Sequence, residues 1–253
     1  MEAALDCAKR GHKVTLLEKA DRLGGVLLIE DEVSFKAKLK QYIQRQSDRC
    51  MNNPDIDVRL NTQATPELVS SLEPDAVIAC LGSTPAIPTY IPGWDGKNVM
   101  NAEYAYTHVD EIGQKVVVIG GGLVGSELAI HLAQNGRDVT LMHRHVEIKF
   151  GANGLHGQAV NEQIKILKIN TAMSTSPVEI TEEGVLGRSA QGDTFYKADT
   201  VIYAVGQRPL ADETEQFRFC APEFYIVGDC GTPATIYQAT SQAYYAARDI
   251  GRI

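Results

Sequence analysis

An internal repeat limits what this chain can fold into more than any other feature. Met1–Lys19 (MEAALDCAKRGHKVTLLEK) aligns without a gap on Ser126–Arg144 (SELAIHLAQNGRDVTLMHR), an offset of 126 − 1 = 125. Glu2/Glu127, Ala4/Ala129, Ala8/Ala133, Gly11/Gly136, Val14/Val139, Thr15/Thr140 and Leu16/Leu141 coincide. A second pair, Val77–Pro85 (VIACLGSTP) and Val201–Pro209 (VIYAVGQRP), aligns at an offset of 201 − 77 = 124. Two independent matches at nearly one offset mark two copies of one supersecondary unit.

Each copy reads as helix, turn, strand. Ala3, Ala4, Cys7 and Ala8 fall at helical spacing, and Gly11 stands where a glycine ends a helix. Val14–Leu17 is then a short buried strand, and Leu128, Leu132, Ala133 and Gly136 repeat the pattern before Val139–Met142. Helices alternating with apolar strands predict an α/β fold with a parallel sheet covered on both faces. Ser34–Met51 reads as an amphipathic helix and Ile56–Leu60 as a strand. Val178–Ile180, Val185–Arg188 and Asp193–Tyr196, separated by turns at Glu182–Gly184 and Gln191–Gly192, predict a small antiparallel meander. Ile87–Gly96, with four Pro or Gly residues, is the expected hinge.

Composition narrows the function. The 253 residues carry a net charge of −8 and are 44% hydrophobic, enough for a full core. An acidic chain without a basic block is a poor partner for nucleic acid or an anionic membrane. Its apolar runs, such as Val116–Ile119, fall far short of the roughly 20 residues of a membrane span. MEAALDCAKRGHK shows no apolar signal-peptide core. The five cysteines, at 7, 50, 80, 220 and 230, form no CxxC, which disfavours a zinc site or an internal redox dithiol and fits a reducing cytoplasm. Cys80 and Cys230 are expected to be small buried apolar residues.

Lys115–Glu127 (KVVVIGGGLVGSE) carries the chemistry: an apolar strand, then Gly120-x-Gly122-x-x-Gly125, then a helix beginning with Leu123, Val124 and Glu127. The first glycine permits the tight turn, the second lets a diphosphate approach the backbone, and the third lets helix and strand pack closely. The diphosphate sits on the helix N-terminus, where unpaired N–H groups and the dipole favour an anion. The next strand ends in His143-Arg144-His145, with Lys149 nearby, instead of an acid. An acid there suits the ribose hydroxyl of NAD(H) and a base the 2′-phosphate of NADP(H), so this end leans towards NADP(H).

In the first copy the equivalent position is Glu18, followed by Lys19 and then Gly24-Gly25. That acid suits the ribose of an unphosphorylated adenosine. Gly125 maps to position 0, so the first copy's opening strand and glycine loop are expected to be missing. Near the other end, Phe224–Cys230 (FYIVGDC) is a strand ending in Gly228-Asp229, and Tyr237–Arg248 reads as a helix. Asp229 suits either a ligand hydroxyl or a turn.

Taken together, AKRGHKVTLLEKADRLGG, AVIACLGSTP, VVVIGGGLVGSELA, TVIYAVGQRP and APEFYIVGDC…ATSQAYYAARDI resemble the two-dinucleotide-binding flavoprotein superfamily. The likeness is greatest to the C-terminal FAD/NAD(P)-binding region of old yellow enzyme-like NADH:flavin oxidoreductases, the group of 2,4-dienoyl-CoA and enoate reductases. The resemblance implies two Rossmann-like domains, one inserted in the other: 1–98 and 210–253 for FAD, 99–209 for NAD(P). It implies that Glu18 holds the FAD ribose and Asp229 the ribityl chain. Gln238 and Ala239 would meet the flavin pyrimidine through their backbone, and Gly82 and Gly206 would mark the strand-to-crossover turns. It also implies that the family's N-terminal barrel, with FMN and a [4Fe-4S] cluster, is missing. The cysteines here lack the cluster spacing.

The function implied is that of an electron-input module, passing hydride from NAD(P)H to FAD for onward transfer to that barrel, which reduces an enone or enoyl substrate. The alternative is a flavin-free nucleotide-binding fragment with no activity of its own. No acid–base side chain is expected to be catalytic, since the cofactors carry the chemistry, and His108, His131 and His156 read as surface or core residues. Association into a homo-oligomer is left open.

Overall fold

The computed structural model describes residues 1–148 and 154–252. Fourteen strands and eight α-helices are described, in chain order. They are α1 (Glu2–Lys9), β1 (Val14–Leu17), α2 (Ala37–Met51), β2 (Ile56–Arg59), α3 (Pro66–Ser71), β3 (Ala76–Ala79), β4 (Ser83–Pro85), β5 (Val99–Asn101), α4 (Ala102–Thr107), β6 (Lys115–Ile119) and α5 (Leu123–Gln134). There follow β7 (Asp138–Met142), α6 (Gly154–Ile166), β8 (Asn170–Ala172), β9 (Ser176–Thr181), β10 (Gly184–Ser189), β11 (Gly192–Lys197), β12 (Thr200–Tyr203), β13 (Gln207–Pro209), α7 (Ala211–Glu215), β14 (Glu223–Ile226) and α8 (Ile236–Asp249). The fold is mixed α/β, as the alternating pattern predicts.

The chain divides into two compact units. One consists of Met1–Asp31, Phe35–Thr84 and Gln207–Ile253; the other of Glu32–Ser34 and Pro85–Gly206. The crossings between these units lie at 31/32, 34/35, 84/85 and 206/207. Ile87–Gly96, expected to be a hinge, is built into the second unit. Ile91 is 1% exposed within its core, and the Ile180 amide donates to the Pro92 carbonyl at 2.8 Å. Apolar burial outweighs the local Pro/Gly signal there.

The second unit has a five-stranded sheet in the order β5-β12-β6-β7-β8. All of its pairings are parallel. β6 is central and its Val116–Ile119 are buried, as a parallel strand covered on both faces must be. Beside this sheet β9, β10 and β11 form the expected antiparallel meander, each strand slightly longer than its apolar core. Val185 and Ile180 join the buried cluster of Val117, Ile119, Met142 and Val201.

The first unit contains the parallel pairs β1-β2 and β14-β3 and the pair β13-β4. By the two repeat offsets, β1 answers to β7 and β3 to β12. β14-β3 and β1-β2 thus repeat the two flanks of the five-stranded sheet, and among the described residues no strand of the first unit pairs with both β3 and β1. α1 packs Ala4, Leu5 and Ala8 with Leu23, Cys50 and Ile56, and its Ala3 with Val227, Ala243 and Ala246. β4 and β13 follow equivalent glycines in the two copies and pair with each other. Ser83 Oγ meets Gln207 Oε1 at 3.3 Å, two positions related by the 124-residue offset.

Candidate functional site

The glycine loop between β6 and α5 is closed on its packing sides and open outward. A Cβ at Gly120, where φ is +117°, would lie 2.2 Å from the Ala204 carbonyl oxygen. One at Gly125 would lie 1.9 Å from the Gly120 carbonyl oxygen. Neither can exist, so these glycines set the turn and the helix approach. A Cβ at Gly122, the N-cap of α5, would meet nothing within 4 Å. Backbone there faces open space, with the first-turn amides at Leu123 and Val124 lacking intrahelical acceptors. Such a cradle can receive a diphosphate. Val124 is exposed, and its carbonyl accepts the Tyr106 hydroxyl at 3.3 Å.

The end of β7 lies beside this loop. The His143 Nδ1 accepts the Gly121 amide at 3.1 Å. Burial first, then neighbouring His145 and Arg144, push the His143 imidazole below its ordinary range, against the pull of a backbone hydrogen bond at Glu147. Arg144 is exposed, and its Nε donates to His145 Nε2 at 3.3 Å. Lys149 lies outside the described residues.

Glu127 is 3% exposed on α5, and His156 Nε2 of α6 sits 2.9 Å from its Oε1. The sequence placed Glu127 in the fingerprint and read His156 as a surface or core residue, with no sign that the two, 29 residues apart, would meet. It missed Gly121 too, an x position of the motif. The visible signal was a third glycine where two suffice.

In the first unit, Glu18 is half-buried just past β1, and its Oε1 accepts the Ala20 amide at 2.9 Å. Lys19 is exposed. Gly24 (φ +142°) and Gly25 (φ +58°) open the 3₁₀ turn Gly25–Glu30. A Cβ at Gly24 would strike Leu28 at 2.5 Å. Gly82 (φ +81°) lies between β3 and β4 and accepts the Leu210 amide; Gly206 (φ +124°) lies between β12 and β13 and accepts the Ala86 amide.

Gly228 (φ +75°) ends the β14 segment, and its amide donates to Gln242 Oε1 at 2.7 Å. Asp229 Oδ1 accepts the Ala234 amide at 3.2 Å, ordering the loop before α8. α8 starts with a capping box: Thr235 Oγ1 accepts the Gln238 amide, and Gln238 Oε1 accepts the Thr235 amide. The Ala239 amide goes to the Thr235 carbonyl. The first-turn amides without intrahelical acceptors are therefore those of Ile236 and Tyr237, just ahead of the expected Gln238 and Ala239.

Cys230 is fully buried, as expected, and its thiol donates to the Ala79 carbonyl at 3.4 Å. Cys80 corrects the expectation: it is exposed to solvent just past β3. Enough protein still surrounds its thiol that desolvation pushes the pKa up to about 11, with Cys230 and Cys7 adding to the rise. His131 is a core residue stacked on Tyr106, and His108 stacks on Tyr104. Among the described residues there is no cluster of His, Cys, Asp and Glu able to hold a metal, and no helix is long and apolar enough to cross a membrane.

Residues 1–243 match the family model described as pyridine nucleotide-disulphide oxidoreductase. Among curated relatives, a cinnamate reductase of Clostridium sporogenes is 32% identical over 99% of this chain and 37% of its own length. An NADH oxidase of Thermoanaerobacter brockii is 30% identical over 99% of this chain and 39% of its own. A solved 2-naphthoyl-CoA reductase superposes with a TM-score of 0.91 at 28% identity, covering 98% of this chain and 38% of that one. The thioredoxin reductase of T. acidophilum shares the fold, with a TM-score of 0.73 at 19% identity over 98% of this chain and 93% of its own. The chain thus spans well under half the length of the curated relatives it matches most fully. It belongs to the pyridine nucleotide-disulphide oxidoreductase family.

Proposed function

We propose that this chain is the electron-input module of a larger flavin reductase, taking reducing equivalents from NAD(P)H for delivery to a partner domain. The observation that carries the reading is the cradle at Gly120, Gly122 and Gly125, closed where it packs and open where a diphosphate enters. Relatives that are reductases and an oxidase, each much longer than this chain, support the larger assembly. The partner would be the family's barrel with FMN and a [4Fe-4S] cluster, acting on an enone or enoyl substrate.

Each residue has a binding or placing role. The amides at the start of α5, with the helix dipole, hold the nucleotide diphosphate. Exposed Arg144 offers its guanidinium to a 2′-phosphate, which favours NADP(H) over NAD(H). Glu18 accepts from the adenosine ribose of FAD. Asp229 keeps acceptor capacity for the ribityl hydroxyls beyond its bond to Ala234. The helix α8 start places partial positive charge near the flavin ring. When bound, FAD supplies the conversion of a two-electron hydride donor into a source of electrons for the partner. No side chain of this chain is assigned a proton transfer.

The flavin-free fragment is the second reading. It is favoured by the first unit, where β14-β3 and β1-β2 are separate two-stranded sheets and, among the described residues, no strand joins them. The visible absorption spectrum before and after FAD is added, then on addition of NADPH or NADH, separates the two. Flavin bands that bleach with NADPH faster than with NADH support the input module and the role of Arg144. A colourless protein that still binds NADPH by calorimetry supports the fragment and leaves flavin chemistry to the full-length parent.

A further inference from the structure

His143 stands at the register position of Glu18, by the 125-residue offset, yet its acceptor is aimed differently. Glu18 turns back onto its own loop, taking the Ala20 amide. His143 turns across to the glycine loop, taking the Gly121 amide at 3.1 Å. The approach is close: a Cβ at Gly121 would lie 2.9 Å from both Cβ and Cγ of His143. Gly121 is therefore glycine because an imidazole lies on it. The His143 backbone is fixed in turn, its amide donating to Ala172 at 2.9 Å and its carbonyl accepting from Thr175 at 3.0 Å. The ring is thus a rigid prop between β8 and the loop that would carry the nucleotide.

We propose that His143 is a positioning residue that accepts the Gly121 amide at Nδ1 and holds the glycine loop in its nucleotide-binding conformation, while recognition of a 2′-phosphate falls to Arg144. The proposal rests on reading the loop as a dinucleotide site. A bond accepted at Nδ1 requires that nitrogen to be unprotonated. The environment agrees, since burial, His145 and Arg144 all favour the neutral ring. A neutral His143 brings no charge to a phosphate, but it sets the loop for any nucleotide with a diphosphate.

The test is an acceptor series at position 143 read against two nucleotides. His143→Asn puts an amide oxygen near the place of Nδ1; His143→Phe keeps a ring and removes the acceptor. Dissociation constants for NADPH and NADH are measured by calorimetry. H143F should weaken both about fivefold to tenfold, as loss of one hydrogen bond would, and H143N should recover most of that loss. Arg144→Ala should weaken NADPH alone. If H143F weakens NADPH and spares NADH, His143 selects the phosphate and the proposal is overturned. It is overturned equally if H143F leaves both unchanged or if H143N is no better than H143F.

Hydrogen exchange at the Gly121 amide, followed by NMR without ligand, separates this failure from failure of the nucleotide reading. Protection in the wild type and H143N that is lost in H143F supports the prop even if no nucleotide binds. Rapid exchange in the wild type overturns it. If H143F does not fold, His143→Leu, which also lacks an acceptor, replaces it in both measurements.

Discussion

At the scale of single residues, burial decides what an ionisable side chain can do. His131 is 6% exposed on α5 and stacks on Tyr106 with ring centroids 5.9 Å apart. Desolvation lowers its pKa below the ordinary 6.5. A histidine lowered in the fold binds fewer protons there than in the unfolded chain. Its contribution to stability is therefore complete above 6.5 and is lost as pH falls from 6.5 through the lower folded value. Urea unfolding followed from neutral pH downward should show stability falling in that window. His131→Gln should flatten the fall in part only, because His143 is lowered as well and titrates with the same sign. A slope unchanged by H131Q would mean that His131 is not held neutral. Read from the sequence, His131 is a surface or a core residue; the burial chooses the second.

At the scale of elements, the sequence is legible wherever a local pattern is repeated by its neighbours. α1, β1 and the three meander strands stand where apolar spacing and glycine stops put them. What it hid are contacts between distant positions. Gly121 and His143 are 22 residues apart, and only packing brings the middle glycine of Gly120–Gly122 under an imidazole. The Pro/Gly content of Ile87–Gly96 spoke for a hinge, while Ile91, which decides the matter, is one residue whose burial no local rule gives. Cys80 sits at an apolar strand end that reads as buried, and exposure there depends on what stands beside β3. The start of α8 is a case where local chemistry is sufficient. Thr235 and Gln238 satisfy each other's backbone amides in a capping box, and the side-chain bond between Thr235 Oγ1 and Gln238 Oε1 closes it. Thr235→Ala should cost about 1 kcal/mol, the usual worth of such a cap. Because the loop Gly231–Ala234 is ordered from the same end by Asp229, the variant should weaken FAD uptake more than NADPH binding. Thermal melts and the two titrations check both halves. Equal losses for the two ligands would mean that α8 serves stability alone.

At the scale of the whole molecule, the repeat gives the two units strands of one design, and these strands are not equally buried. In the second unit Val117, Leu141 and Val201, on three adjacent parallel strands, are fully buried. At equivalent places in the first unit, Leu16 of β1 and Val77 of β3 remain half-exposed. Backbone hydrogen bonds next to solvent open at lower cost than those in a dry core, so the two units should differ in local stability. Native-state hydrogen exchange should find the slowest amides in β6, β7 and β12, with β1 and β3 exchanging well before them. Ligands then report which unit they hold, because binding to the folded form raises the cost of opening by an amount that grows with concentration over the dissociation constant. FAD should slow exchange in β1, β3 and β14, and NADPH in β6 and β7. Equal protection of the two sheets without ligand would mean that the pairs β1-β2 and β14-β3 are as well supported as the five-stranded sheet. FAD protecting β6 and β7 instead would assign the flavin to the other glycine loop.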